Sequence, residues 1–263
     1  MSDEFPEGPF AGPRGGALEG DPVRKSQELM RRNLTKRFYK DVTVELRDEG
    51  HVVLLDGRQV KTPGKVTLAL PDARLAEAVA AEWRAQKTHI DPGVMHLTRI
   101  VNSGIEAVPA KHAEVADDIA GYAGTDLLCY RAQSPERLVL QQARHWDPVL
   151  AWAEETFGAR FILAGGVMHV AQPPHSLEAI RAAVRAYDSL HLAALHTATT
   201  LTGSVLLALA LTQGHLTPDA VWAAAFVDEN WNAELWGADA EALQTRALKR
   251  QEFDAAAFVL GIG

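Results

Sequence analysis

Ser189 to Pro218 reads SLHLAALHTATTLTGSVLLALALTQGHLTP and holds no Asp, Glu, Lys or Arg, in a chain that is 23% charged. Its heart, Val205 to Leu211, is VLLALAL, which offers no polar face at any helical or strand phase. A helix apolar all round is either buried in a protein or spans a membrane. Spanning takes about 20 consecutive apolar residues. Thr197, Thr199, Thr200, Thr202, Ser204 and two histidines interrupt the first half, so the stretch reads as a central core helix with other helices packed around it.

Upstream lies the one clear β region. Val42, Val44 and Leu46 alternate with polar residues, Asp48-Glu49-Gly50 makes a turn before HVVLL, and Asp56-Gly57 is a hairpin signal. Pro63-Gly64 and a second alternation at Val66, Leu68 and Leu70 complete a meander of three or four antiparallel strands. So small a sheet needs a cover for its apolar face. The next segment supplies a helix capped near Asp72, with Leu75, Val79 and Trp83 on one face.

From Met95 on, the chain reads as helical. Helices are expected through Leu97–Val101, through Val115–Tyr122, and from Ser134-Pro135-Glu136 with a break or kink at Asp147-Pro148. A short hairpin at Gly165-Gly166 and a helix capped by Ser176 follow. Asp219 to Trp236 is expected as one helix with two apolar stripes, a pattern that suits a sandwiched helix or one awaiting a partner. A last helix runs from Asp239 to about Leu260.

The fold class is therefore α+β: a small antiparallel β-meander with a covering helix, then a mainly α-helical bundle. The division is a loosely attached leader over 1–35, an α+β domain over 36–94 and a helical domain over 95–263. The basic stretch from Arg24 to Lys40 is an interaction arm or, more simply, a solvated leader.

Several function classes are excluded. The net charge of −8 argues against general nucleic-acid affinity. The one cysteine, Cys129, allows no disulfide framework and no Cys-based zinc site. The acidic N-terminus resembles neither a secretory signal nor a transit peptide, so a bacterial cytoplasmic location is expected, without membrane insertion. Phosphate-loop, G-x-G-x-x-G and G-x-S-x-G signatures are absent. No cofactor and no metal is expected, since His191 and His196 lack the spacing of a shared zinc face.

The sharper feature is a run of acids, Asp219, Asp228, Glu229, Glu234, Asp239 and Glu241, interleaved with Trp222, Trp231 and Trp236. Three readings stand side by side. It is a solvated helix face, or a recognition surface in which aromatics give contact area and acids choose a basic partner, or a small-molecule enzyme site built on clustered carboxylates such as Asp228, Glu229 and Asp239.

An ordered set of motifs resembles a known family. These are Leu55-Asp56-Gly57-Arg58-Gln59-Val60-Lys61-Thr62-Pro63, Ala81-Glu82-Trp83-Arg84-Ala85-Gln86 and Met95-His96-Leu97-Thr98-Arg99. They continue through Thr125 to Ala132, Trp146-Asp147-Pro148 and Gly203 to Leu211, and end at Asp228-Glu229 and Trp236 to Ala242. Together they resemble the assembly chaperones of the ATP synthase catalytic sector that bind its alpha subunit. The resemblance implies an N-terminal α+β domain and a helical domain, no enzyme activity and no ATP requirement. It implies a monomeric chaperone that keeps the unassembled alpha subunit from aggregating until beta replaces it. On that resemblance, Trp83 and Glu241 carry over. Asp56, Gly57 and Pro63 are family-motif positions of structural character, and Asp228, Glu229, Trp236 and Asp239 join Glu241 as expected partner contacts.

Overall fold

The computed structural model describes residues 34–166, 168–237 and 239–261. The expected leader, apart from its last two residues, and the first part of the basic stretch lie outside them.

The meander forms as read. Strands β1 (Val42–Arg47) and β2 (Gly50–Leu55) pair antiparallel, β3 (Arg58–Gln59) turns back on β2, and β4 (Ala69–Leu70) adds to β2 at its other end. The turn after β2 puts Asp56 and Gly57 both at positive φ, 47° and 78°, the backbone that a two-residue hairpin demands. The Asp56 carboxylate then accepts the backbone N–H groups of Lys40 and Asp41, which hold its pKa below the usual range. Helix α1 (Ala73–Ala85) covers the sheet, with Asp72 accepting the N–H groups of Arg74 and Leu75 at its N-terminus. Leu75 and Val79 are fully buried, and Trp83 packs its ring edge against Tyr39 at 5.8 Å.

Arg37, within the basic stretch, is a structural tie. Its guanidinium donates to the carbonyls of Tyr39, Lys40 and Gln86 and so closes the entry to β1 against the end of α1.

Helix α2 (His96–Asn102) starts with no cap of its own, and Glu82 of α1 supplies one. The Glu82 carboxylate accepts Leu97 N–H, Thr98 N–H and the Thr98 hydroxyl at 2.7–2.8 Å. The helix then widens into a π-turn over Ser103–Ala107, where Gly104 lies so close to Leu190 that a Cβ would stand 2.8 Å from its Cα. From the same turn Glu106 accepts Gly64 N–H, tying the loop after Pro63 to the helices.

Helix α3 (His112–Gly121) leads through 3₁₀ turns to β5 (Tyr130–Arg131), and α4 (Glu136–Phe157) follows. Three expectations need correction here. The start expected at Ser134-Pro135-Glu136 moves to the last of these residues, with the capping position on Pro135 and no side-chain bond. Of the break or kink expected at Pro148, the break does not form: the helix continues through it, with Pro148 and Arg144 on the exposed face and Trp146 and Val149 anchoring the other. Among the described residues the segment at Gly165 forms no hairpin; β6 (Ala164–Gly165) pairs parallel with β5, and the Gln172 side chain bonds Ile162 N–H and C=O at its base.

Helix α5 (Pro174–Arg185) begins with Pro173 at its cap, so Ser176 sits inside it. Its buried hydroxyl donates to Arg160 O instead. The central stretch is two helices rather than one, α6 (Ser189–Thr202) and α7 (Val205–Thr212), because Gly203 takes the left-handed conformation, φ 69°, and Ser204 recaps. Every residue from Val205 to Leu211 is buried. Asp126, fully buried, accepts the N–H groups of Leu128 and Leu206 and thereby fixes the start of α7 against the 3₁₀ turn before β5.

The expected helix 219–236 is likewise two, α8 (Pro218–Ala225) and α9 (Val227–Trp236), offset at Phe226. The Phe226 ring leaves the helical path to pack on Trp222, 4.3 Å between centroids, and Trp222 meets Phe253 of the last helix, α10 (Ala240–Leu260). Only the second half of α10 is embedded: Phe253, Ala256, Val259 and Leu260 are buried against α6 and α2. Most of the buried apolar side chains form one cluster that reaches from Tyr39 to Leu260.

Candidate functional site

From Ala240 to Lys249, α10 extends beyond the body with its residues exposed on every side except Arg246. It leaves α9 through Gly237, φ 79°, and turns back to place Arg246 over the Phe226 ring, a helical hairpin whose arms stand apart. Between the two lies a groove of about 670 Å³. One wall is the α9 face at Phe226, Glu229, Ala233 and Trp236, spaced three and four apart. The other is α10 at Ala242, Thr245, Arg246 and Lys249, with Asp239, Glu241 and Leu243 at the turn end. Trp236 is 84% exposed and Leu243 53%. Side chains this large and apolar are seldom left in solvent together, and here they are gathered on a projecting arm.

The structure sorts the expected contact residues. Trp236, Glu229, Asp239 and Glu241 line the groove together. Asp228 does not; it accepts a 2.7 Å bond from the buried amide of Gln142, whose oxygen receives Ala132 N–H, so it pins α9 to α4. Glu234 also looks away, paired with Arg137 at 2.9 Å. With Asp228 turned to Gln142, the three carboxylates of the enzyme reading do not meet at one point.

Leu243, Arg246 and Lys249 escaped the sequence reading, because the first half of α10 shows no stripe from which an inner face could be assigned. Arg246 lies over the Phe226 ring at 5.0 Å, and Arg250 over Trp222 at 5.4 Å while bonding Asp219 and Asp254. These two arginines brace the base of the hairpin.

Other chemistry is weak. Among the described residues no group of three or more His, Cys, Asp or Glu could hold a metal ion, and no helix is long and apolar enough to cross a membrane. Cys129 is buried, and desolvation with the nearby Asp126 charge pushes its thiol up to about 12, the opposite of an activated nucleophile.

The Atu1473 protein of Agrobacterium tumefaciens is 46% identical, with 92% of this chain and 91% of that one covered and a TM-score of 0.82. Atp12 from Paracoccus denitrificans is 40% identical over 86% of this chain and 97% of its own, with a TM-score of 0.79. The family model described as ATP12 chaperone protein matches residues 36–154. The chain belongs to the ATP12 chaperone family. A curated member, the mitochondrial atp12 protein of Schizosaccharomyces pombe, is 23% identical over 230 residues, 82% of this chain and 79% of its own length. ATP12 proteins are ATP synthase assembly chaperones and not enzymes, in keeping with the ordered motifs. The family match to residues 36–154 stops short of the α9–α10 hairpin, while the relatives' coverage extends over most of the chain.

The family motifs acquire physical meaning in this fold. Asp56-Gly57 makes the hairpin turn, Pro63 precedes the loop held by Glu106, and Glu82 beside Trp83 caps α2. Trp83 itself is half-buried in the packing of α1, away from the groove residues.

Proposed function

We propose that the protein is an ATP-independent chaperone that holds the unassembled alpha subunit of the ATP synthase catalytic sector through its α9–α10 hairpin until beta takes its place. An alpha subunit without beta exposes apolar surface meant for an interface, and such surface aggregates. A holder must cover it and then yield to the larger final contact. The observation that carries this reading is the projecting hairpin, with Trp236 and Leu243 exposed beside carboxylates available for a partner. A cytoplasmic, monomeric protein belongs with the same reading.

The test is light scattering from isolated alpha subunit, with the full chain added at equal concentration and no nucleotide. Aggregation is expected to be suppressed by the wild type and restored by Trp236→Ala combined with Leu243→Ala. Both positions are exposed, so the melting temperature of the free chaperone should barely move. Full suppression by that double variant would remove the hairpin from the binding surface. No suppression by the wild type would remove the function.

A further inference from the structure

The hairpin has a charge polarity that a merely apolar docking surface would not need. Acids that look away from the groove are taken up internally: Asp228 by Gln142 and Glu234 by Arg137. The carboxylates of the three that line it, Glu229, Asp239 and Glu241, have no hydrogen-bond or ion-pair partner among the described residues. Neither cation of the groove, Arg246 or Lys249, forms an ion pair with them among the described residues. Arg246 lies over the Phe226 ring, and Lys249, a turn further from the tip, has no ion-pair partner among the described residues. Chain order sets the layout: Asp239 and Glu241 stand at the turn end beside Trp236 and Leu243, while Arg246 and Lys249 stand at the base. The open end is acidic and aromatic, the closed end basic.

Solvated carboxylates cost the free protein little, and a bound cation against them gains where the aromatic wall excludes water. A bound acid at the same place would be repelled, which is how a surface of this kind selects.

We propose that the tip of the groove takes a client segment that sets an apolar side chain against Trp236 and Leu243 and a neighbouring Lys or Arg against Asp239 and Glu241. This rests on the reading of the hairpin as the client-binding surface and adds the chemistry of the client.

The test uses three short synthetic peptides that share one Leu/Phe core and carry Lys, Gln or Glu at the flanks. Binding to the full chain is read by tryptophan fluorescence, with Trp236→Phe to identify the reporter. The Lys-flanked peptide is expected to bind at least roughly tenfold more tightly than the Glu-flanked one, with Gln between, and added salt should narrow the gap. Asp239→Asn with Glu241→Gln should flatten the order, whereas Asp48→Asn with Glu114→Gln, which removes the same charge elsewhere, should preserve it. Equal affinities, no binding at all, or an order lost equally in both variants would overturn the proposal. So would a dimer of the free chain, seen by light scattering, that dissociates on Trp236→Ala, since a second copy would then be the occupant. Alpha subunit is absent from this experiment, so the client chemistry and the client's identity fail separately.

Discussion

Asp126 shows how one side chain of the Thr125–Ala132 motif joins distant parts of the chain. It is fully buried, yet it serves the start of α7 and the turn at Leu128, with the Ser204 hydroxyl also bonded to it. Burial, the largest influence, pushes its pKa up to about 6 against the opposing pull of those donors. A carboxyl that holds its proton more tightly folded than unfolded lends stability that is complete below its unfolded pKa of about 4 and lost as the pH rises through about 6. The loss is about 3 kcal/mol. Asp126→Asn keeps an acceptor and cannot ionise, so urea titrations should show the wild type losing ground to it between about pH 4 and pH 7. Parallel pH profiles would refute the burial argument. Trp83 belongs to the same scale. Its ring fills the space between α1 and Tyr39, whose hydroxyl bonds Trp83 O at 2.7 Å, so Trp83→Ala should cost roughly 3 kcal/mol in chemical denaturation. Client affinity measured well below the melting point should stay unchanged, which separates this position from Trp236.

At the level of elements, Gly104, in the π-turn that follows α2, is a point of close approach to α6. Its missing Cβ admits the Leu190 backbone, which has no rotamer with which to retreat. Gly104→Ala should therefore destabilise by about 1–3 kcal/mol through overpacking, even though alanine is the better helix former. A thermal shift near zero would show that the π-turn relaxes. The β-meander and its cover were legible because alternation, Asp56-Gly57 and the Leu75–Trp83 spacing all point to one answer. Breaks inside apolar runs were less legible. Gly203 was visible as a residue, but an all-apolar sequence has no phase whose loss would mark the split between α6 and α7. Phe226 looks like an ordinary stripe position until its ring is seen stacked on Trp222. Pro148 and Ser176 erred the other way: local rules announced a break and a cap, and the packing of Trp146 and the demand of Arg160 O decided otherwise. In the candidate site, Trp236 and the acids could be named from composition. Which acids are free could not, because that depends on Gln142 and Arg137, both far away in sequence.

For the whole molecule, the question is what joins the sheet and α1 to the helical body. Two carboxylates cross the boundary in opposite directions: Glu82 reaches the start of α2, and Glu106 reaches back to Gly64 N–H. Beneath them the apolar cluster spans the boundary, with Leu70 and Leu75 on one side and Ile105, Leu190 and Val259 on the other lining a cleft of about 350 Å³. Carboxylate ties orient, but they contribute modestly beside buried apolar area, so the apolar seam should set the cooperativity. Glu82→Ala leaves two helix-terminal N–H groups and the Thr98 hydroxyl without their acceptor and should cost about 2 kcal/mol. Glu106→Ala, with one exposed bond to lose, should cost well under 1 kcal/mol. The two sites share no partner, so the double variant should lose close to the sum. In all three variants, fluorescence and far-UV circular dichroism should still trace a single coincident urea transition. If instead the double variant unfolds in two steps, the charged ties and not the seam make the protein one unit. The sheet would then be a separately folding lobe that the helices carry.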